Sequence, residues 1–434
     1  ALLQRAVLHQ QGGHGAAALV QLGLDDHALG HSVGVGAELL HVGLQQNHLQ
    51  QRVDSLPHTG LIGEGQGLTG LGVHRDLDAA GAAAAGAAAS VPTLASSAAL
   101  EPAAETGHIR NFDMIEAFYR EYPKKLAAVR GHLGRPLTLA EKILYTHLYH
   151  PEEMREFKRG ADYVELRPDR AGTHDIGGPM AIIQFLSSGK DRIALPAAIV
   201  CDHLVMANAG AIPDLKVADK SNYETYDFLA RAAKRYGFDF WPAGAGICHQ
   251  VFLENYNFPG GMMLVTDSHT PTAGGLGMLA IGVGGADLVD GLMGMEWELK
   301  MPKLIGVKLT GRLQGWASPK DVILKLTGIL STKGGTNAII EFFGEGTESL
   351  SATGKATICN MGAEVGATAS LFPYDGQMAE YLRATGRGEA AALADGMKEY
   401  LRADPEAEAA PERCYDRVIE IDVPDEAIVT RMSG

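Results

Sequence analysis

The sequence predicts an α/β protein with buried, largely parallel sheets. From about residue 110 onward, amphipathic segments with helix-start signals alternate with short runs of apolar residues. Short, fully apolar runs are typical of strands that helices cover on both faces, as in parallel sheets. The composition agrees, because 46% hydrophobic and 21% charged residues in a chain of 434 can form a sizeable core.

Three helices are predicted from their ends. Thr138 and Glu141 form a capping box that opens a helix. Ser221 and Glu224 repeat that pattern before an amphipathic run, and Gly237 is placed to end it. The third helix has a proline in its first turn, directly after a serine, at Ser318-Pro319.

Four apolar runs between these helices are the predicted strands. In open α/β sheets, ligands bind beyond the carboxyl ends of the strands, so polar residues that directly follow a run are site candidates. The runs are 197–201, 262–266, 304–310 and 338–343.

The first 107 residues differ from the rest of the chain. They contain no Phe, Tyr, Trp, Lys, Met or Cys, and eight of the sixteen histidines fall there at irregular spacings. Residues 79–99 are almost entirely Ala, Gly and Ser, which is low complexity. We expect 1–107 to be a disordered extension or not genuine coding sequence. A transit peptide within it is only weakly indicated, because arginine is scarce there.

Charge and cysteine content exclude several classes of protein. A net charge of −15 argues against a protein that coats nucleic acid. No apolar run reaches the length of a membrane span. The four cysteines are too few and too scattered for a disulfide framework, which fits a reducing compartment; they are Cys201, Cys248, Cys359 and Cys414.

Two polar clusters follow predicted strands. Asp202 and His203 come after the first apolar run, and Asp267, Ser268 and His269 come after the second. A carboxylate beside a histidine can raise the pKa of the imidazole and keep it as an acid or base near neutral pH. A single such pair is common in ordinary loops, but two at strand ends of one α/β unit favour a proton-handling site.

Two further residues extend this candidate site. His249 begins an apolar helical run, where a buried structural histidine is the alternative interpretation. Glu364 lies among small and apolar residues, so we expect it to be buried with a partner, since an unpaired buried charge costs several kcal/mol. The glycine-rich stretch 274–287 lacks the features of a nucleotide-binding loop, and close packing explains it better.

Long segments of the chain resemble aconitases of the mitochondrial type. The similarity runs from about residue 110 to 422 and includes CDHL at 201–204, TDSHTPTAGGLGMLAIGVGGADLVD at 266–290 and ATICNMGAEVGATASLFPYD at 356–375. It implies aconitase-like three-layer α/β/α domains and a mitochondrial location. It also implies a monomeric enzyme, when complete, that acts on a small tricarboxylic acid, with no nucleic-acid or membrane partner.

The resemblance also implies a reaction and its residues. The reaction is interconversion of citrate and isocitrate through cis-aconitate, with a 4Fe-4S cluster whose one iron without a cysteine ligand acts as a Lewis acid. His203 is the implied acid that helps the hydroxyl leave as water, and Asn360 supports the cluster region. The implied pairs and substrate-contacting residues are Asp202 with His203, Asp267 with His249, Glu364 with His269, and Asp267, Ser268 and His269 along the substrate.

The chain departs from the family pattern in three ways. His174 stands where a substrate-binding MQDATAQM stretch has glutamine, and by that position it counts as a fourth substrate-binding candidate. Thr272 stands where asparagine follows the DSHTP motif. The family's three cluster cysteines belong to motifs downstream of the covered region, so no metal ligand is assigned here. We therefore expect an incomplete N-terminal fragment that is inactive alone, with both ends reflecting gene-model errors.

The domain prediction follows the resemblance. We expect an extension over 1–107, α/β domains over 108–302 and 303–421, and the start of a third domain over 422–434. Two alternatives to an aconitase fragment stay open. One is an inactive truncated paralogue that acts in binding or assembly, and the other is a homoaconitase-like hydro-lyase.

Overall fold

The computed structural model describes residues 109–423. The predictions for 1–107 and for almost all of 422–434 fall outside these residues. Within the described part, no helix combines the length and the apolar character needed to cross a membrane.

Eleven strands lie in the described region, and they include all four predicted ones. They are β1 (Tyr163–Leu166), β2 (Arg170–His174), β3 (Ala197–Val200), β4 (Asp239–Trp241), β5 (Met262–Val265), β6 (Leu279–Gly282), β7 (Trp297–Lys300), β8 (Lys303–Thr310), β9 (Ala338–Phe343), β10 (Ala369–Leu371) and β11 (Arg417–Asp422).

Twelve α-helices connect these strands within residues 109–423, together with short 3₁₀ segments. The helices are α1 (Phe112–Leu133), α2 (Leu139–Thr146), α3 (Gly178–Ser187), α4 (Ala211–Ser221), α5 (Tyr223–Tyr236), α6 (Cys248–Asn255), α7 (Gly285–Met293), α8 (Pro319–Leu330), α9 (Ala352–Asn360), α10 (Gly376–Ala384), α11 (Gly388–Asp395) and α12 (Pro405–Ala409).

The first large sheet has five parallel strands in the order β4-β3-β2-β5-β6. Helices cover both of its faces, which gives the three layers of an α/β/α unit. On one face Ala171, Ala197 and Ile199 pack with residues of α3, α5 and α7. On the opposite face Ala198 and Val200 pack with residues of α1 and α6. Burial of both faces explains why these strands are uniformly apolar in sequence.

The second large sheet has four parallel strands in the order β10-β9-β8-β11. A small antiparallel pair of β1 and β7, which the sequence did not indicate, completes the strand pairing of the described residues. The two large sheets lie on opposite sides of residue 302 in sequence. Their residues nevertheless share hydrophobic clusters, since one cluster contains both Val200 and Val307. The division into domains at 302/303 therefore stays a prediction.

The predicted helix ends are mostly confirmed. Thr138 caps α2 through a capping box with Glu141, and Gly237 ends α5 in the left-handed conformation. Pro319 lies in the first turn of α8. The prediction of Ser221 as a cap is wrong, because α4 continues through Ser221. The residue before α5 is instead Asn222, whose side-chain amide donates to the Ala218 carbonyl.

The packing interpretation of the glycine-rich stretch is confirmed. A Cβ atom on Gly274 would lie 1.8 Å from the Ser370 carbonyl oxygen, and one on Gly275 would lie 2.4 Å from the Ala356 Cα atom. Only glycine allows the 3₁₀ segment Thr270–Leu276 to approach α9 and β10 this closely.

Candidate active site

The candidate site lies at the carboxyl ends of three adjacent strands of the five-stranded sheet. The central strand β2 ends at His174, β3 is followed by Asp202 and His203, and Asp267 follows β5 by one residue. Parallel strands end at the same edge of a sheet, so residues far apart in sequence meet there. The strand order therefore builds the site.

His203 lies between two carboxylates. Its Nδ1 donates to Asp202 Oδ1 at 2.8 Å and its Nε2 donates to Asp267 Oδ2 at 2.9 Å. Burial opposes a charge on His203, but hydrogen bonds and charge from Asp202 and Asp267 outweigh burial and raise its pKa. Because both ring nitrogens donate, the geometry fits a protonated imidazole. The side chain is 30% exposed, so a small molecule can reach it.

Asp267 links two histidines. Its second oxygen, Oδ1, accepts from His249 Nε2 at 2.8 Å and from the His269 backbone N–H at 2.7 Å. Burial favours the neutral carboxyl, but these two hydrogen bonds, that from His249 first, outweigh it and lower the pKa of Asp267. Asp267 is therefore ionised at neutral pH and holds His203 and His249 in place.

His249 lies in the first turn of α6, next to the residue that anchors this helix. Asp202 Oδ2 accepts from the Cys248 backbone N–H at 2.7 Å. A carboxylate at a helix N-terminus is favourable because the first N–H groups have no partner within the helix. One carboxylate thus positions both His203 and the helix that carries His249.

His174 stacks on His203, with ring centroids 3.8 Å apart and ring planes 16° from parallel. Its Nε2 donates to the Thr266 carbonyl at 2.7 Å. Burial, together with the charge of His203, lowers the pKa of His174, so this ring is neutral.

Asp175 is a site residue to which the sequence analysis gave no role. Its two oxygens accept from the backbone N–H groups of His203 at 3.0 Å and Leu204 at 3.2 Å. Asp175 therefore fixes the loop that carries His203. Its position directly after His174, at the end of the central strand, is the signal that could have identified it.

His269 contacts the segment around Asn360. Its Nδ1 donates to the Asn360 carbonyl at 3.3 Å, and the Asn360 side-chain amide donates to Thr272 Oγ1 at 2.9 Å. Thr272 in turn donates to the His269 carbonyl at 2.7 Å. Ser268 is exposed. Thr272 thus joins His269 to Asn360 in a closed network.

Glu364 does not join this arrangement. It is exposed, and within the described residues its side chain has no hydrogen bond or ion pair, including none with His269. The expectation of a buried, partnered carboxylate is wrong, because the 3₁₀ segment Met361–Val365 buries Gly362 and Val365 and leaves Glu364 on its solvent side. Because Glu364 stays in contact with solvent, its charge is not desolvated and needs no partner.

The cysteines of residues 109–423 do not fit an iron–sulfur cluster. All four are buried and free, and burial raises the pKa of each thiol. Metal binding requires thiolates that lie together. In this part of the chain, the groups of side chains close enough to share an ion contain no cysteine, only His174, His203 and Asp267, or Asp175, Asp202 and His203. The ligand atoms of these groups also take part in the hydrogen bonds described above.

Sequence comparisons with known proteins point to one family. The model of the aconitase family (aconitate hydratase) matches residues 141–431. The mitochondrial aconitate hydratase of Gracilaria gracilis is 56% identical over 309 residues, which is 71% of this chain and 39% of that protein. The mitochondrial aconitate hydratase of Saccharomyces cerevisiae is 54% identical over 306 residues, 70% of this chain and 38% of that protein.

The chain spans about two fifths of the length of these curated relatives. Among solved structures, aconitase X of Thermococcus kodakaraensis aligns with a TM-score of 0.34 and 12% identity, over 62% of this chain and 60% of that chain. A score this low does not establish a shared fold. The family match covers well over half of the chain, and the chain therefore belongs to the aconitase family.

Proposed function

We propose that residues 109–423 supply the histidine–carboxylate part of a hydro-lyase site that interconverts citrate and isocitrate through cis-aconitate. The observation that carries this proposal is the shared carboxylate of Asp267, which binds His203 and His249 while Asp202 holds the other side of His203. Such a constellation can keep a histidine charged and fixed at a site that a small molecule can reach.

The chemistry requires an acid at the departing hydroxyl. Elimination of water breaks a carbon–oxygen bond, and a proton from His203 would let the hydroxyl leave as water while the imidazole becomes neutral. Hydration of the double bond is the reverse, so His203 takes the proton back. The two carboxylates support this role because they stabilise the charged imidazole before transfer. The base that takes the carbon-bound proton is not assigned among residues 109–423.

Family membership adds further proposals. Aconitases generally depend on an iron–sulfur cluster, but the described residues do not fit one, so no step is assigned to it. The relatives are named as mitochondrial enzymes, and we extend a mitochondrial location, a tricarboxylate substrate and a monomeric state to this chain as proposals. The roles of Ser268 and His269 along the substrate, a catalytic role of Glu364, and the role of Asn360 near a cluster stay predictions.

A second candidate is a hydro-lyase for a homologous acid, or a related protein without activity. His174 favours these alternatives. It stands at the position where the family pattern has a substrate-binding glutamine, but both of its ring nitrogens are hydrogen-bonded within the protein. A changed contact at this position would alter which acid fits, or remove binding altogether.

A chimera tests these candidates. Residues 110–422 would replace the matching segment of the Saccharomyces cerevisiae relative, which supplies the remainder of that enzyme. We expect the chimera to hydrate cis-aconitate, measured by the loss of its ultraviolet absorbance. His203→Ala within the chimera should lower turnover by about 10²- to 10⁴-fold, the usual contribution of a general acid. His132→Ala, at an exposed histidine near the end of α1, is the matched control.

The outcomes separate the candidates. Preference for homoaconitate over cis-aconitate would favour the homologous acid. A folded chimera that turns over neither acid would favour the inactive relative. Unchanged turnover in His203→Ala would contradict the assignment of His203 as the acid.

A further inference from the structure

His174 presents only its ring face to the site. The residue is 7% exposed, and its imidazole lies against that of His203 with ring centroids 3.8 Å apart. Its Nε2–H donates to the Thr266 carbonyl at 2.7 Å. Its Nδ1 accepts, with longer distances, from the backbone N–H groups of Ile176 at 3.3 Å and Gly177 at 3.5 Å. These partners fix one neutral tautomer and leave no ring nitrogen for a substrate.

The backbone around His174 leaves room for this ring. A Cβ atom on Gly177 would lie 3.0 Å from Thr266 Oγ1 and 3.5 Å from His174 Nε2. The first distance is tighter than an ordinary contact, so a larger residue at 177 would press on the side chain of Thr266, the residue whose carbonyl accepts from His174, whereas the second distance is an ordinary contact. Gly177 therefore belongs to the same local arrangement as His174.

The hydrogen-bond partners of His203 hold its two ring nitrogens and its backbone. Asp202 holds Nδ1, Asp267 holds Nε2, and Asp175 holds the backbone N–H. These contacts fix where the nitrogens point, but they do not cover the flat faces of the ring. His174 covers one face, and rotation of His203 away from its two carboxylates would break the stack.

We infer that His174 is a positioning residue that holds the ring of His203 by stacking, and that it is not a substrate ligand. This inference deepens the proposed function, because it concerns the residue proposed there as the acid. A stacked aromatic pair contributes enough to change the population of a rotated ring by about two- to tenfold.

The test uses the 434-residue chain with isotope-labelled histidine and measures exchange of the His203 ring N–H protons by NMR. His174→Gln keeps a donor and an acceptor but lacks the ring, and His174→Phe keeps a ring but lacks the hydrogen bonds. We expect ring N–H exchange at His203 to become about two- to tenfold faster in His174→Gln and to stay near the wild-type rate in His174→Phe. His132→Gln is the control for loss of an exposed histidine.

Two results would overturn the inference. Unchanged exchange in His174→Gln would show that the stack does not hold His203, and equally fast exchange in both variants would assign the effect to hydrogen bonds. Citrate added to the wild-type chain gives a third test. If citrate shifts the His174 NMR signals and breaks the hydrogen bond from His174 Nε2 to the Thr266 carbonyl, His174 is a substrate ligand and the inference is wrong. Failure of the proposed function would be seen in a different measurement. The chimera would be inactive, while the exchange rates would still show that His174 stacks on His203.

Discussion

Both large sheets are parallel, but among residues 109–423 the candidate site lies at the carboxyl edge of the first. In the first sheet, strand ends bring together His174, His203 and Asp267. In the second sheet the two central strands, β8 and β9, end at Thr310 and Phe343, each followed by a glycine. The same parallel arrangement thus gives two carboxyl edges, and the residues that follow the strands determine which edge gathers titratable side chains.

Charged groups in the second sheet region serve the fold instead. Glu341 lies buried on β9 and accepts from the first N–H groups of α2, at Leu139 and Ala140, and from the Tyr415 hydroxyl. Lys355 of α9 is fully buried and donates to Asp375, the cap of α10. These groups are satisfied inside the protein, whereas His203 at the first edge is partly open. The comparison predicts that substitutions in the two regions affect different properties.

The largest expected effect is on stability, in the second region. Lys355→Met leaves the Asp375 carboxylate buried without its cation, and we expect a loss of about 3–5 kcal/mol in the free energy of unfolding. Urea unfolding measures it, with the exposed Lys333→Met as the matched control. The pKa of His203 should not change. A loss below about 1 kcal/mol, the scale of an exposed pair, would contradict the structural role of this pair.

A smaller loss is expected where the glycine-rich segment contacts α9. Gly275→Ala places a methyl group 2.4 Å from the backbone of Ala356, which cannot move away cheaply. We expect a loss of about 1–3 kcal/mol. Gly131→Ala is the matched control, because it meets nothing within 4 Å in α1 and should gain about 0.5–1 kcal/mol. Equal unfolding midpoints for the two variants would contradict this packing.

The sequence predicted the strands and the residues that follow them better than the contacts between them. Asp202, His203 and Asp267 were identified because polar residues directly follow apolar runs. The hydrogen bond between His203 and Asp267 spans 64 residues and depends on β2 lying between β3 and β5, which no local pattern specifies. Glu364 was misjudged because small neighbours in sequence do not establish burial. The stack of His174 on His203 is likewise a product of the strand order.

The smallest effect is on pH dependence, at the first edge. Because the pKa of His203 is raised in the folded state, its protonation stabilises the folded state. This stabilisation is complete below about pH 6.5, which is the pKa of an unperturbed histidine. That contribution is lost as the pH rises through the folded-state pKa. Asp267 acts in the opposite direction, since its lowered pKa gives a contribution that is present above about pH 3.9 and lost only at lower pH. His203→Gln should remove the decline above pH 6.5 in unfolding free energy measured across pH.

The most direct test of the account is the titration of His203 itself, by NMR of the 434-residue chain. The account predicts a His203 pKa above the ordinary value of about 6.5, and a lower value in Asp267→Asn, which removes one of its two carboxylates. Asp191→Asn, at an exposed carboxylate that pairs with Arg235, should leave the titration unchanged. A wild-type pKa at or below 6.5, or the same value in Asp267→Asn, would contradict the claim that this edge holds a charged acid.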